Sequence, residues 1–189
     1  WRDQTPLSNH ELRMDDDVYQ PRQDQSVTVS FPLEGEEAQA RGLEGVRALA
    51  WTTTPWTLPT NAALAVGPEI NYVVIPSGPH GSADSESAER RSDGRYLLAK
   101  DTVAAYAKEL GYESGDQALA AVERELKGSE LGGIRYQRLF DYYADTERYG
   151  MAQAWQILVA DYVATGEGTG IVHQAPAYGE DDQVTCEQA

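Results

Sequence analysis

Val46-Arg47-Ala48-Leu49-Ala50-Trp51-Thr52-Thr53-Thr54-Pro55-Trp56-Thr57-Leu58-Pro59-Thr60-Asn61-Ala62-Ala63-Leu64-Ala65-Val66 carries the signals from which the fold is read. Residues 46–51 form a short apolar run of strand length. It leads straight into a segment where Pro55 and Pro59 forbid a regular helix and remove ladder donors. A strand therefore feeds an ordered loop. Ala62 to Val66 resumes as a strand, and Gly67-Pro68 divides it from another at Tyr72 to Ile75.

Working outward, Val27 to Phe31 alternates apolar and polar residues at period two, the mark of a half-buried strand, and a turn-like patch follows at Glu34 to Glu37. Residues 1–25 are polar, contain Pro6 and Pro21, and read as an irregular leading arm. Its acidic run, Asp15 to Asp17, reads as a solvated loop. On the other side, Ser77 to Gly94 has no large apolar residue and reads as a flexible excursion. Tyr96 to Ala99 resumes the sheet. Asp101 can cap a helix to about Leu110, stopped by Gly111. A second helix is expected over Asp116 to Lys127, with Leu119, Val122, Glu123 and Leu126 inward and Gly128 as terminator. Tyr136 to Tyr143, Trp155 to Val163 and Ile171 to His173 read as strands, and Glu180-Asp181-Asp182 as the acidic first turn of a helix. The predicted architecture is mainly β with peripheral helices (α+β) around a closed or curled β-barrel core, in a single domain over 1–189.

Composition narrows the function. With 189 residues, 41% hydrophobic and 24% charged, the chain can bury a core. No stretch approaches the roughly 18 apolar residues of a membrane span, and no signal peptide opens the chain. The single cysteine, Cys186, excludes an internal disulfide and fits a reducing compartment, so a cytoplasmic location is expected. A net charge of −16 argues against an autonomous nucleic-acid grip and against anionic membranes. The chain begins at Trp1, which reads as a segment excised from a longer protein.

Several chemistries are struck off. The glycines at 166, 168 and 170 fail the dinucleotide fingerprint, because Ile171 stands where Gly or Ala is needed. There is no phosphate loop and no Gly-x-Ser-x-Gly elbow. His10, His80 and His173 are scattered and Cys186 has no partner at finger spacing, so no metal is expected. Two segments stay unusual. In the first, Thr52, Thr53 and Thr54 offer three adjacent hydroxyls between Trp51 and Trp56. They could bind a polar ligand or simply satisfy their own turn, and the tryptophans read as core anchors. The second runs Gly168-Thr169-Gly170-Ile171-Val172-His173-Gln174-Ala175-Pro176-Ala177-Tyr178-Gly179-Glu180-Asp181-Asp182. A histidine ending a strand, then Pro, Gly and paired carboxylates, suits a site on a loop, although each residue also has an ordinary structural reading.

Together the two segments closely resemble the editing domain of isoleucyl-tRNA synthetase, the connective-peptide insertion that class I enzymes for isoleucine, valine and leucine share. The resemblance extends from Pro6-Leu7-Ser8-Asn9-His10-Glu11 to the last helix turn. Thr54 and Trp56 stand where the valyl and leucyl versions carry Arg and an acidic residue, which selects the isoleucyl branch. A pair of cysteines found near the amino end of some relatives is not seen, and the 77–94 excursion looks like a peripheral insertion.

The resemblance implies hydrolysis of valine wrongly esterified to the 3′ end of isoleucine tRNA, with valyl-adenylate as a second substrate. An isoleucine pocket gains only ~1–3 kcal/mol from one methylene, an arithmetic for which the isoleucyl enzyme is itself the standing example, so a second sieve is needed. By alignment of motifs, Asp182 pairs with the substrate α-ammonium and Asp181 is a helix-start neighbour. His173 walls the pocket against isoleucine, by shape before general-base duty. Thr52, Thr53 and Thr54 bind substrate and position the hydrolytic water; Trp56 lines the site and Asn61 matches a further family position. No nucleophilic side chain is evident, so direct attack by an ordered water is expected, assisted by the substrate's own hydroxyl. Editing would need no cofactor, since ATP and Mg belong to the synthetic domain, whose signatures are absent. The expected partners are that tRNA end, valyl-adenylate and the remainder of the synthetase, with the segment itself monomeric. The competing readings are a non-catalytic module that binds an amino acid or terminal adenosine, and a free-standing deacylase acting in trans.

Overall fold

The computed structural model describes residues 25–79 and 94–189. The leading arm up to residue 24, with His10 and the acidic run, and residues 80–93 of the excursion, with His80, lie outside the described residues. Nine strands join in one mixed sheet: β1 (Val27–Glu34), β2 (Arg47–Thr52), β3 (Ala63–Val66), β4 (Asn71–Pro76), β5 (Arg95–Ala99), β6 (Arg124–Lys127), β7 (Arg135–Tyr136), β8 (Gln156–Val159) and β9 (Ile171–Gln174). Four short helices surround it: α1 (Glu36–Ala40), α2 (Gly115–Ala120), α3 (Thr146–Tyr149) and α4 (Glu180–Glu187). The mainly β, α+β expectation is met. Among the described residues no helix is long and apolar enough to cross a membrane.

The spatial order is β6-β4-β5-β2-β1-β7-β8-β3-β9. This corrects the expectation of a closed barrel: among the described residues β6 pairs only with β4 and β9 only with β3, so the sheet does not close on itself. The reason lies in β1. Its first six residues pair antiparallel with β2 through Pro32↔Arg47, and only Leu33 and Glu34 pair with β7. One strand thus serves two half-sheets and turns the corner at Pro32, where no ladder N–H can be donated. The joint is narrow, because β7 has two residues and touches β8 through the single pair Arg135↔Gln156. The sheet still bends far enough for β9 to lie against β2.

The bend creates the core. Phe31, Leu33, Leu64, Tyr72, Leu97, Ile134 and Ile157 are fully buried between the half-sheets. The opposite face of β2, β4 and β5 is covered too: Leu49, Val73, Ile75 and Leu98 pack against Val103, Ala107, Leu110 and Tyr112. Strict alternation in β4, with Tyr72 and Val74 on one side and Val73 and Ile75 on the other, explains why that strand reads as a continuous apolar run. Tyr72 also ties the half-sheets together. Its hydroxyl donates to Gly170 O at 2.6 Å and accepts from Gly67 N at 3.0 Å, and burial pushes its pKa up to about 12.

Several elements differ from expectation. Residues 101–110 form no α-helix: a 3-10 turn at Lys100–Thr102 is followed by turns that mix i−3 and i−4 bonds, such as Ala105 N to Thr102 O and Leu110 N to Tyr106 O. The second helix covers only Gly115–Ala120, capped by the Ser114 side chain accepting from Gln117 N. After a turn at 121–123 the stretch ends as β6, because the open edge of β4 supplies ladder partners that outweigh helix propensity. Leu126 is buried there as a strand residue while Leu119 stays 39% exposed. The 136–143 strand shrinks to Arg135–Tyr136, since β1 ends and offers no further partner. The patch at 34–37 opens helix α1 after Gly35, whose φ of 90° makes the turn.

Candidate active site

The two unusual segments, more than a hundred residues apart, line one open cavity of about 520 Å³. β2 delivers Trp51 and Thr52 to its rim, and β9 runs beside β2 and delivers His173. The threonine loop is folded rather than extended: Pro55–Thr60 is a 3-10 helix, with Thr57 N bonding Thr54 O and Asn61 N bonding Leu58 O, each at 3.0 Å. Pro55 fits its first turn, where the N–H would be orphaned anyway. Gly168 makes the close approach on the far wall. Its φ is 70°, and a Cβ there would stand 2.9 Å from the Trp51 ring.

Thr52, Thr53, Thr54, Trp56, His173 and Asp182 all line the cavity. Thr52 is buried, accepts the Thr54 N–H at 3.0 Å, and lies 3.2 Å from the Thr54 hydroxyl. Thr53 and Thr54 are exposed. Trp56, 69% exposed, departs from the core-anchor reading and stands at the mouth. Asp182, in the first turn of α4, accepts from Ala175 N at 2.8 Å through one carboxylate oxygen, which pins the loop between β9 and α4. Asp181 is exposed and does not line the cavity. Asn61 does not line it either, because it lies buried behind His173.

Charge in the cavity is one-sided. Among the described residues that line it, Asp182 and Glu167 are the carboxylates and none is Lys or Arg. Such a wall attracts a cation such as an ammonium group.

His173 sits in a buried hydrogen-bond network. Asn61 Nδ2 is 2.9 Å from Ala63 O and 2.9 Å from His173 Nδ1. A backbone carbonyl only accepts, so the amide NH2 must face it, and the second N–H of that group goes to Nδ1. Nδ1 is then the acceptor and the ring proton rests on Nε2, 2.9 Å from Thr57 Oγ1. The Thr57 hydroxyl passes its own hydrogen to Thr54 O at 2.8 Å. Burial lowers the His173 pKa below its usual 6.5, with the Asp182 charge opposing. The ring is therefore neutral and has no free lone pair with which to take a proton from water. Its place is as a wall and as an anchor for the threonine loop.

Two members of this network escaped the sequence. Thr57 lies inside the first motif but carries no local sign that separates it from its neighbours. Tyr136 donates its hydroxyl to Asn61 Oδ1 at 2.7 Å from 75 residues away, and no sequence pattern joins them.

No family model matches the chain. Among curated proteins it is 64% identical, over 100% of its length, to the isoleucine–tRNA ligase of Leifsonia xyli, of which it covers 17%. It is 54% identical to that of Tropheryma whipplei and 50% to that of Mycobacterium tuberculosis, each over 99% of the chain and 16% of the relative. The chain thus spans about a sixth of the length of these relatives. Among solved structures, the Plasmodium knowlesi cytosolic leucyl-tRNA synthetase editing domain superposes with TM-score 0.60 at 14% identity, over 84% of this chain and 59% of that one. GlLeuRS-CP1 does so with TM-score 0.57 at 15% identity, over 85% and 58%. These likenesses establish the fold. The chain is thus similar from end to end to a segment of isoleucine–tRNA ligases and shares its fold with the editing domains of leucyl-tRNA synthetases.

Proposed function

We propose that this segment hydrolyses aminoacyl esters, removing valine misattached to the 3′ end of isoleucine tRNA and acting on valyl-adenylate as a second substrate. The observation that carries this reading is the meeting of the threonine loop, His173 and the Asp182 carboxylate around one cavity, with no Lys or Arg among its described lining residues. An aminoacyl ester presents an α-ammonium beside its carbonyl. Asp182 would receive that ammonium, since a charged hydrogen bond in a half-buried site is worth roughly 1.5–3 kcal/mol. The hydroxyls of Thr53 and Thr54 would hold the carbonyl and an attacking water, with Thr52 shaping the loop beneath them. The neutral His173 ring would limit the space for the amino-acid side chain, and Trp56 would cover the terminal adenosine.

Water attacks the acyl carbonyl and the bond to the leaving oxygen breaks: from the tRNA ester the adenosine hydroxyl leaves with the proton that the water gives up, and from the adenylate AMP leaves through its phosphate oxygen while that proton passes to solvent. No protein nucleophile and no cofactor take part. In this reading the segment acts in the cytoplasm as part of its synthetase, whose remainder supplies most of the tRNA grip because this chain carries a net charge of −16.

The test is hydrolysis of valyl-tRNA and isoleucyl-tRNA by this chain, beside its Asp182→Ala variant. Loss of valine alone, abolished in the variant, is the expected result. Binding of a non-hydrolysable valyl-adenosine analogue without any hydrolysis would instead identify a recognition module.

A further inference from the structure

Behind the cavity wall the hydrogen-bond network begins at a residue that lines no part of the cavity. Tyr136 is 2% exposed, and burial holds its hydroxyl protonated, with its pKa well above the usual tyrosine value. It can therefore only donate to Asn61 Oδ1 at 2.7 Å. The Ala63 carbonyl takes one N–H of the Asn61 amide and the Tyr136 hydroxyl donates to its oxygen, so the two together keep the NH2 toward His173 and hold the amide plane against turning. Two observations mark this geometry as specified. Trp155 is the only non-glycine residue of the described chain at positive φ (59°), and in that conformation its indole N–H reaches Asn61 O at 3.1 Å. The Tyr136 ring is held edge-on by Phe31, with centroids 5.2 Å apart. Left-handed backbone in a bulky residue is retained only where its surroundings require it.

We infer that Tyr136 is a positioning residue of the site: acting through Asn61, its hydroxyl holds His173 in the Nε2–H tautomer and, through Thr57, fixes the shape of the threonine loop. The donors run in one direction, from Tyr136 to Asn61, from Asn61 to His173, from His173 to Thr57 and from Thr57 to Thr54 O. Its consequence for catalysis rests on the editing reading. Its structural content does not.

The test is ¹⁵N imidazole NMR of the chain. Only three histidines are present, His10, His80 and His173, and His173→Gln identifies the relevant signals. The wild type should show a single Nε2–H tautomer at His173. Tyr136→Phe, with backbone amide signals otherwise native, should show a mixture of tautomers; a spectrum identical to the wild type overturns the inference. Should Tyr136→Phe not fold, Asn61→Asp takes its place. It sets an acceptor against Nδ1 and should move the proton there, and retention of the Nε2–H form overturns the inference equally. In ester hydrolysis, Tyr136→Phe should lower kcat roughly 3- to 10-fold, the worth of one hydrogen bond, with KM unchanged. An unchanged kcat removes the positioning role. If the wild type hydrolyses no aminoacyl ester, the editing reading fails while the imidazole spectra still decide the relay.

Discussion

Replacing Asp182 by Asn tests the ammonium role with little structural disturbance. One carboxylate oxygen accepts from Ala175 N at 2.8 Å, and an amide oxygen can keep that bond. Asp182 lines a cavity that has no Lys or Arg among its described lining residues, so the substitution removes charge while preserving shape. Two unit charges 4 Å apart interact by about 4 kcal/mol at the effective dielectric of a protein surface. The side chain is only half-buried, and water screens part of that. A hydrogen bond to a charged group is worth roughly 1.5–3 kcal/mol, and we take about 2 kcal/mol as the loss. At 1.36 kcal/mol per decade this predicts a fall in kcat/KM for valyl-tRNA of about 30-fold. The assay is release of labelled valine from preformed valyl-tRNA under kcat/KM conditions, with urea midpoints to show that both proteins are folded. Asp182→Ala should lose more, down to the abolished hydrolysis expected above, because it removes the hold on the Ala175 loop together with the charge, and it should add about 1 kcal/mol of instability as Ala175 N–H loses its acceptor. Wild-type kcat/KM in Asp182→Asn would refute the reasoning.

Three further outcomes are expected. His173→Ala removes a buried wall residue and should let isoleucyl-tRNA be cut within about tenfold of the valyl rate; unchanged discrimination in the same assay counts against the sieve. Gly170→Ala meets both a φ of 74° and an Ala99 Cβ at 2.5 Å, whereas Gly133→Ala, at φ 80°, meets nothing within 4 Å. Urea unfolding should show a loss of about 3 kcal/mol for the first and only the 1–2 kcal/mol backbone part for the second, and equal losses would contradict the packing argument. The lowered His173 pKa means that the unfolded chain takes up this proton before the folded one does. Its contribution to stability is therefore present above the unfolded value near 6.5 and is lost as pH falls from there to the lowered folded value. Denaturation midpoints between about pH 7.5 and 5.5 should fall less steeply in His173→Gln than in the wild type.

The strands were legible because their signals are local. Period-two alternation in 27–31 and short apolar runs at 46–51, 62–66 and 72–75 mark segments that must bury at least part of one face whatever their partners are. The helix expected over 116–127 failed because Arg124 to Lys127 has no strong local preference and the β4 edge lies fifty residues away. The 101–110 stretch bent into mixed turns as Val103, Ala107 and Leu110 settled on the sheet. Barrel closure failed for a related reason, since the two-residue β7 and the corner at Pro32 are properties of pairing that no single segment displays.

By itself the sequence singled out residues that the fold brings to one cavity, because the two motifs are long and each is contiguous: Thr52 to Thr54 with Trp56, and His173 with Asp182. It also placed β2 before the threonines and β9 at the histidine. Only the tertiary structure decided that the two motifs share a cavity, that Asn61 stands behind His173 rather than in the site, and that the imidazole carries its proton on Nε2. The tautomer depends on which atoms surround a ring, and those atoms come from residues 57, 61, 63 and 136, brought within hydrogen-bond distance of His173 only when β3, β7 and β9 assemble in the same half-sheet.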